Sequence, residues 1–185
     1  LTATAEDITL AAEGSIVAAD DLLSVNGSVI VTTGDKVRFD GDVNAYQNIE
    51  VLAMGSDDTL GGVSALTVNG MLYADAGDIS LIARDPFGNS SIYVSNSDTI
   101  FYPTIYSQIG NVVLDATGDI VADGTVETYN HLVMSADRAL TVGVDAGVRA
   151  YHGNVTLTAL HGDITLGSGS AIVAQEGNVA LTTQD

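Results

Sequence analysis

Three short stretches of this 185-residue chain break an otherwise regular pattern, and they hold most of the residues able to do chemistry. MGSDDTLGGVS occupies 54–64, RDPFGNS occupies 84–90 and NSDTIFYP occupies 96–103. With the nearby Tyr106 they supply Phe87, Phe101 and Tyr102 as flat apolar rings, and Asp57, Asp58 and Asp85 as carboxylates. Rings stack against sugars or peptides, while carboxylates accept hydrogen bonds from hydroxyls or hold a hard cation. A binding surface on Phe87, Phe101, Tyr102, Tyr106 and Asp85 is therefore one expectation. A calcium ion shared by Asp57, Asp58 and Asp85 is the one cofactor the pattern suggests. The coil-borne calcium motif G-G-x-G-x-D does not occur. Asp85-Pro86-Phe87-Gly88 also reads as a type I turn, with the aromatics covering the apolar base of their own loops.

Other chemistry finds less support. Glycoside hydrolysis needs paired carboxylates in a cleft, and uronate cleavage needs a base with cations beside it. The cations are Lys36, Arg38, Arg84, Arg138 and Arg149, of which only Lys36 and Arg38 are close in sequence. A net charge of −19 opposes binding of acidic polysaccharide, nucleic acid or anionic lipid. No enzymatic activity is expected. His131, His152 and His161 fall in consecutive repeats at different slots, so they form no ligand column and read as solvent-facing corner residues. Asn26, Asn89 and Asn154 head N-x-S/T triplets, which matter only in a glycosylating compartment. Thr9, Thr156 and Thr165 face outward, but equivalent slots hold Ile30, Glu50, Val113 and Val133, so there is no regular threonine array to order ice. Without cysteine there is neither a disulfide framework nor a thiolate metal site. No apolar run approaches the ~20 residues of a membrane helix.

The elements that would carry the three insertions are repeats. Eight related phrases occur: DITLAA at 7–12, SVIVTT at 28–33, NIEVLA at 48–53, DISLIA at 78–83, NVVLDA at 111–116, HLVMSA at 131–136, NVTLTA at 154–159 and NVALTT at 178–183. They recur every 20 to 24 residues, apart from two longer intervals of 30 and 33 that contain the insertions. Such spacing belongs to solenoids. Within each phrase the period is two, the signature of a strand. Ile8, Leu10 and Ala12 share one face, as do Val112, Leu114 and Ala116, and Val155, Leu157 and Ala159.

Each repeat adds two shorter alternations. The first runs Ile16/Ala18, Val37/Phe39, Leu66/Val68, Ile92/Val94, Ile120/Ala122, Leu140/Val142 and Ile164/Leu166. The second runs Leu23/Val25, Val43/Ala45, Leu72/Ala74, Val148/Ala150 and Ile172/Ala174. Gly, Asn and Asp mark the joins, as at Asn26-Gly27, Gly118-Asp119 and Gly162-Asp163, where a left-handed backbone is expected. A sandwich would show hairpin signals and no fixed repeat, and a membrane barrel needs strands of ~9–11 residues. The expected fold is all-β: a right-handed parallel β-helix, or β-solenoid, of about eight coils with three short strands per coil. At ~4.8 Å per coil the rod would be about 40 Å long.

GNVVLDATGDIVADG (110–124) and GNVTLTALHGDITLGSG (153–169) resemble the degenerate repeats of the filamentous-haemagglutinin type, which build the shafts of large exported bacterial adhesins and exoproteins. The likeness covers about 6–53 and 110–183. It implies export across the outer membrane to the cell surface or medium, and a role in attachment to a glycan or protein on a host or neighbouring cell. It carries over no catalytic or ligand residue, and the chain has no RGD tripeptide. On this reading residues 1–185 are one β-helix segment of a longer chain, a non-enzymatic shaft. The alternative is a carbohydrate-binding or polysaccharide-cleaving β-helix that uses the inserted middle coils. The opening LTATAEDITL has no initiator Met or signal-peptide core, consistent with a segment. Its cut ends, at 7–12 and 178–183, would leave strand edges that fray or associate end to end.

The repeat alignment puts Leu114 and Leu157 in one buried column and Thr156 on the outer face. Leu157→Asp should therefore lower stability by more than about 4 kcal/mol, because it places an unpaired charge in the core. Thr156→Asp should stay within about 0.5 kcal/mol of the parent chain. Denaturant unfolding of both variants checks this, and an unaffected Leu157→Asp would overturn the register.

Overall fold

The computed structural model describes residues 1–55, 64–95 and 103–184. Among these residues every regular element is a strand, and every strand pairing is parallel. Three sheets run the length of a β-solenoid. The long-strand sheet stacks Ile8–Ala12, Val29–Thr33, Ile49–Ala53, Ile79–Ala83, Val112–Ala116, Leu132–Ala136, Val155–Ala159 and Val179–Thr183. A second sheet stacks seven strands from Ile16–Ala18 to Ile164–Leu166. The third stacks eight, from Thr2–Ala3 through Leu22–Ser24 and Ile105–Ser107 to Ala171–Ala174. Eight stacked long strands enclose about seven full turns of three strands each.

Register is kept from turn to turn. Ile79 sits between Ile49 and Val112, Leu81 between Val51 and Leu114, and Ala83 between Ala53 and Ala116. The long insertions after Ala53 and Ala83 therefore displace no core residue. Leu81, Leu114, Met134 and Leu157 are wholly buried, as are the alanines of the adjoining column. In the second sheet Phe39 fills space beside the smaller Ala18 and Val68, its register partners. Close packing of this kind removes nearly all the apolar surface of the inward slots from water, the main favourable term in folding.

One register expectation is corrected. Leu23 and Val25 point outward, at 40% and 43% exposure, while Leu22 and Ser24 face the core at 5% and 1%. DLLSVN contains two overlapping alternations, and the more apolar one is the wrong one. The serine is tolerated inside because its hydroxyl is bonded on both sides. It donates to the Glu6 carbonyl (3.1 Å) and accepts from the Gly27 amide (3.2 Å). Ser107 repeats the arrangement with the Gly77 carbonyl and the Gly110 amide, and the Thr128 hydroxyl donates to the Gly110 carbonyl. Every buried side-chain nitrogen or oxygen among the described residues has a partner, so these polar slots carry no desolvation debt.

The corner before the long strands explains the recurrent Gly-Asn and Gly-Asp. At its second position a side chain accepts a hydrogen bond from the backbone amide of the same position one turn on. The Asp7 carboxylate accepts from Ser28 (2.7 Å), the Ser28 hydroxyl from Asn48 (3.3 Å), the Asn48 amide oxygen from Asp78 (2.9 Å) and the Asp78 carboxylate from Asn111 (2.7 Å). The series goes on through Asn111 to His131 (3.1 Å), His131 Nδ1 to Asn154 (3.0 Å) and Asn154 to Asn178 (2.9 Å). The corner histidine His131 is thus a member of the ladder. Its Nδ1 must be unprotonated to accept, which places the ring hydrogen on Nε2.

Glycine precedes this slot for a different reason from the one expected. Only Gly88, Gly169 and Asp145 among the described residues have positive φ. At Gly110 the need is space: a Cβ there would lie 2.2 Å from the Gly77 carbonyl oxygen of the turn below. Gly110→Ala should accordingly force neighbouring turns apart and cost several kcal/mol, in the range of severe overpacking. Asn111→Ala should cost about 0.5–1.5 kcal/mol, the net worth of the bond it removes from the exposed His131 amide. Thermal or denaturant unfolding measures both, with Gly110→Ala expected to be the more damaging.

Candidate functional site

The insertion at 84–90 leaves the long-strand sheet at its corner and forms a closed turn. Arg84 extends the ladder by one residue, its amide donating to the Ala53 carbonyl (2.8 Å). The Asp85 amide then donates to the Thr117 hydroxyl (3.0 Å). The Gly88 amide closes on the Asp85 carbonyl (3.1 Å), with Gly88 in the left-handed region at φ 75°. The Asp85 carboxylate accepts from the Asn89 amide (3.2 Å) and is 8% exposed. It therefore organises its own turn, as the turn reading anticipates, and presents little surface to a ligand. Phe87 stands at the tip, 83% exposed. Asp57, Asp58, Phe101 and Tyr102 lie outside the described residues. Among the described residues no group of three or more His, Asp or Glu side chains is placed to hold a metal ion.

Tyr106 does not belong with Phe87 and Asp85. It is the outward residue of Ile105–Ser107 in the third sheet, a different face of the coil. There it heads a polar and aromatic surface that the spacing of the insertions does not announce. Tyr73, Tyr106, Glu127 and Arg149 occupy one outward slot on four successive turns. The Tyr73 and Tyr106 ring centroids are 5.8 Å apart. Tyr129 and Tyr151 follow the next two strands of the same sheet, each tied by its amide to the turn below. Glu127 accepts from Arg149 Nη1 (3.1 Å) and from the Tyr151 hydroxyl (2.9 Å), and the Arg149 guanidinium lies 6.0 Å from the Tyr151 ring centroid. The His152 ring packs on Tyr129 at 4.3 Å between centroids, with its Nδ1 2.5 Å from the Glu176 carboxylate.

Tyr106, Tyr129, Tyr151, His152, Gln175 and Glu176 enclose an open cleft of about 280 Å³. Burial, reinforced by Tyr151 and Glu127, raises the Tyr106 hydroxyl above the ordinary tyrosine range, so it remains a donor at neutral pH. The hydrogen bond that Arg149 donates to the Tyr151 hydroxyl oxygen, together with the charge of Glu127, holds the guanidinium firmly protonated. The cleft offers ring faces, fixed donors and carboxylate acceptors. The sequence signal was the tyrosine closing VETY and VRAY, 126–129 and 148–151, hidden because each residue looks like an ordinary strand end.

Each arginine lies against a carboxylate: Arg38 with Asp40, Arg84 with Asp115, Arg138 with Asp119 and Arg149 with Glu127. At the inserted corner burial raises the Asp115 carboxyl above the ordinary aspartate range. Arg84 opposes that rise, and Asp137 on the next turn adds to it. A carboxyl raised in the folded state destabilises the fold where it is ionised, and the penalty fades as pH falls through the folded value. Asp137→Asn should therefore bring the Asp115 titration midpoint down and lessen the penalty at neutral pH. NMR titration of the Asp115 carboxyl carbon checks this, and an unmoved midpoint would show that Asp137 plays no part.

No family model, curated protein or solved structure matches this chain significantly.

Proposed function

We propose that this chain is a non-enzymatic shaft segment of a large exported bacterial surface protein of the adhesin type, contributing length and stiffness to an attachment structure. The observation that carries this reading is the unbroken corner ladder from Asp7 to Asn178, one link per turn. Equivalent, in-register links suit a module whose job is extension, since each turn needs only its neighbours and turns can be added without redesign. The resemblance of the Gly-Asn and Gly-Asp phrases to filamentous-haemagglutinin repeats points the same way. So does a net charge of −19, which favours solubility of a long strand-rich object. Polysaccharide cleavage is the weaker reading, because the arginines that would steady a uronate are each engaged by a carboxylate.

Two measurements test the proposal in cells making the parent protein. Labelling of intact cells, or of the medium, with an antibody to this segment should detect it outside the outer membrane; retention in the cytoplasm would overturn the reading. Deleting 111–130, one repeat, joins Gly110 to His131 and should shorten the rod by about 4.8 Å while preserving folding and display. Loss of folding on that deletion would contradict a modular shaft.

A further inference from the structure

We propose that the tyrosine cleft on the third sheet binds a neutral oligosaccharide, a role beyond that of a shaft and independent of it. Three rings from successive turns, Tyr106, Tyr129 and Tyr151, line a single open cleft. Aromatic faces give flat apolar area suited to the C–H face of a pyranose, and tyrosine adds a hydroxyl at the rim. The rings are already oriented in the free protein. The Tyr151 hydroxyl is held by Glu127, and Tyr129 rests on His152. Such preorganisation lessens the entropy lost on binding. Gln175, Glu176 and His152 form the polar fringe, with acceptors and donors for sugar hydroxyls.

Charge selects the class of sugar. Glu176 is 59% exposed in its side chain at the cleft, Arg149 is occupied by Glu127, and the whole chain carries −19. A sulfated or uronate-rich chain meets repulsion without a free guanidinium to offset it. An extended peptide would dock by adding a strand to a sheet edge. Here three of the four strands beneath the cleft, Ile105–Ser107, Val126–Thr128 and Gly147–Ala150, are paired on both sides; only Ala171–Ala174, the last of its sheet among the described residues, has an open edge, and a strand added there would lie beyond the three tyrosine rings. The cleft is lined from four successive turns of the solenoid, which suits a chain of sugars more than a single one.

The test titrates the 185-residue chain with short neutral oligosaccharides of glucose, galactose, mannose and N-acetylglucosamine, and with a sulfated oligosaccharide. With seven tyrosines and no tryptophan, intrinsic tyrosine fluorescence reports binding directly, and calorimetry gives the affinity. At least one neutral oligosaccharide should bind saturably. Tyr129→Ala should weaken it about fivefold or more, the loss of one stacking ring, whereas Tyr129→Phe should largely preserve it. Phe87→Ala, on the other face, should leave it unchanged, and unaltered unfolding curves separate binding from folding. No saturable binding up to concentrations on the order of 1 mM would overturn the proposal. So would preference for the sulfated ligand, or binding lost with Phe87→Ala but not with Tyr129→Ala.

Discussion

The fold depends on one backbone amide per turn. At the corner before each long strand the chain bends away from the sheet, and the amide of the slot residue would have no sheet partner there. The side chain one turn below accepts it, from Asp7 to Ser28 and onward to Asn178. Each such bond contributes about 0.5–1.5 kcal/mol net, and in every turn the slot holds a residue with a short acceptor: Asp, Asn, Ser and, once, His. The three parallel sheets set the separation of the turns at the strand spacing of ~4.8 Å, which the corner bonds span. That separation leaves no room for a Cβ at Gly110. Glycine and the acceptor are two consequences of one close approach.

Other corners use the device in part. Asp21 accepts from the Asp42 amide and Asp42 from Met71, while Ser91 accepts from Asp119 and Asp119 from Ala139. Asp7, Asp21, Asp42, Asp78 and Asp119 all serve as corner acceptors in this way. Buried hydroxyls of Ser24, Ser107 and Thr128 extend the scheme into the core, bonding corner carbonyls that the sheets cannot reach.

A coil held this tightly can vary its outer face freely. Inward slots alternate with outward ones, so Tyr73, Tyr106, Glu127 and Arg149 fall in line on consecutive turns although 21 to 33 residues separate neighbours in sequence. The tyrosine cleft is a product of this alignment. The insertion at 84–90 shows the opposite use of freedom, closing on itself through Asp85, Thr117 and Asn89. Its length adds little strain to the stack, because loop closure cost grows slowly with length.

The sequence by itself determined the parallel three-strand coil, its repeat length and most of its core columns. Period-two alternation and a repeat of 20 to 24 residues are local properties that survive in any register-preserving stack. It misassigned Leu23 and Val25 because apolarity alone cannot tell a solvent-facing leucine from a core serine whose hydroxyl is bonded; that depended on the Glu6 carbonyl and the Gly27 amide, 18 and three residues away. It read the corner glycines as left-handed when contact between turns was the reason. The grouping of Tyr106, Tyr129, Tyr151 and His152 was decided only by the tertiary structure. Which outward residues meet is set by stacking across turns, and neither composition nor spacing within a turn encodes it.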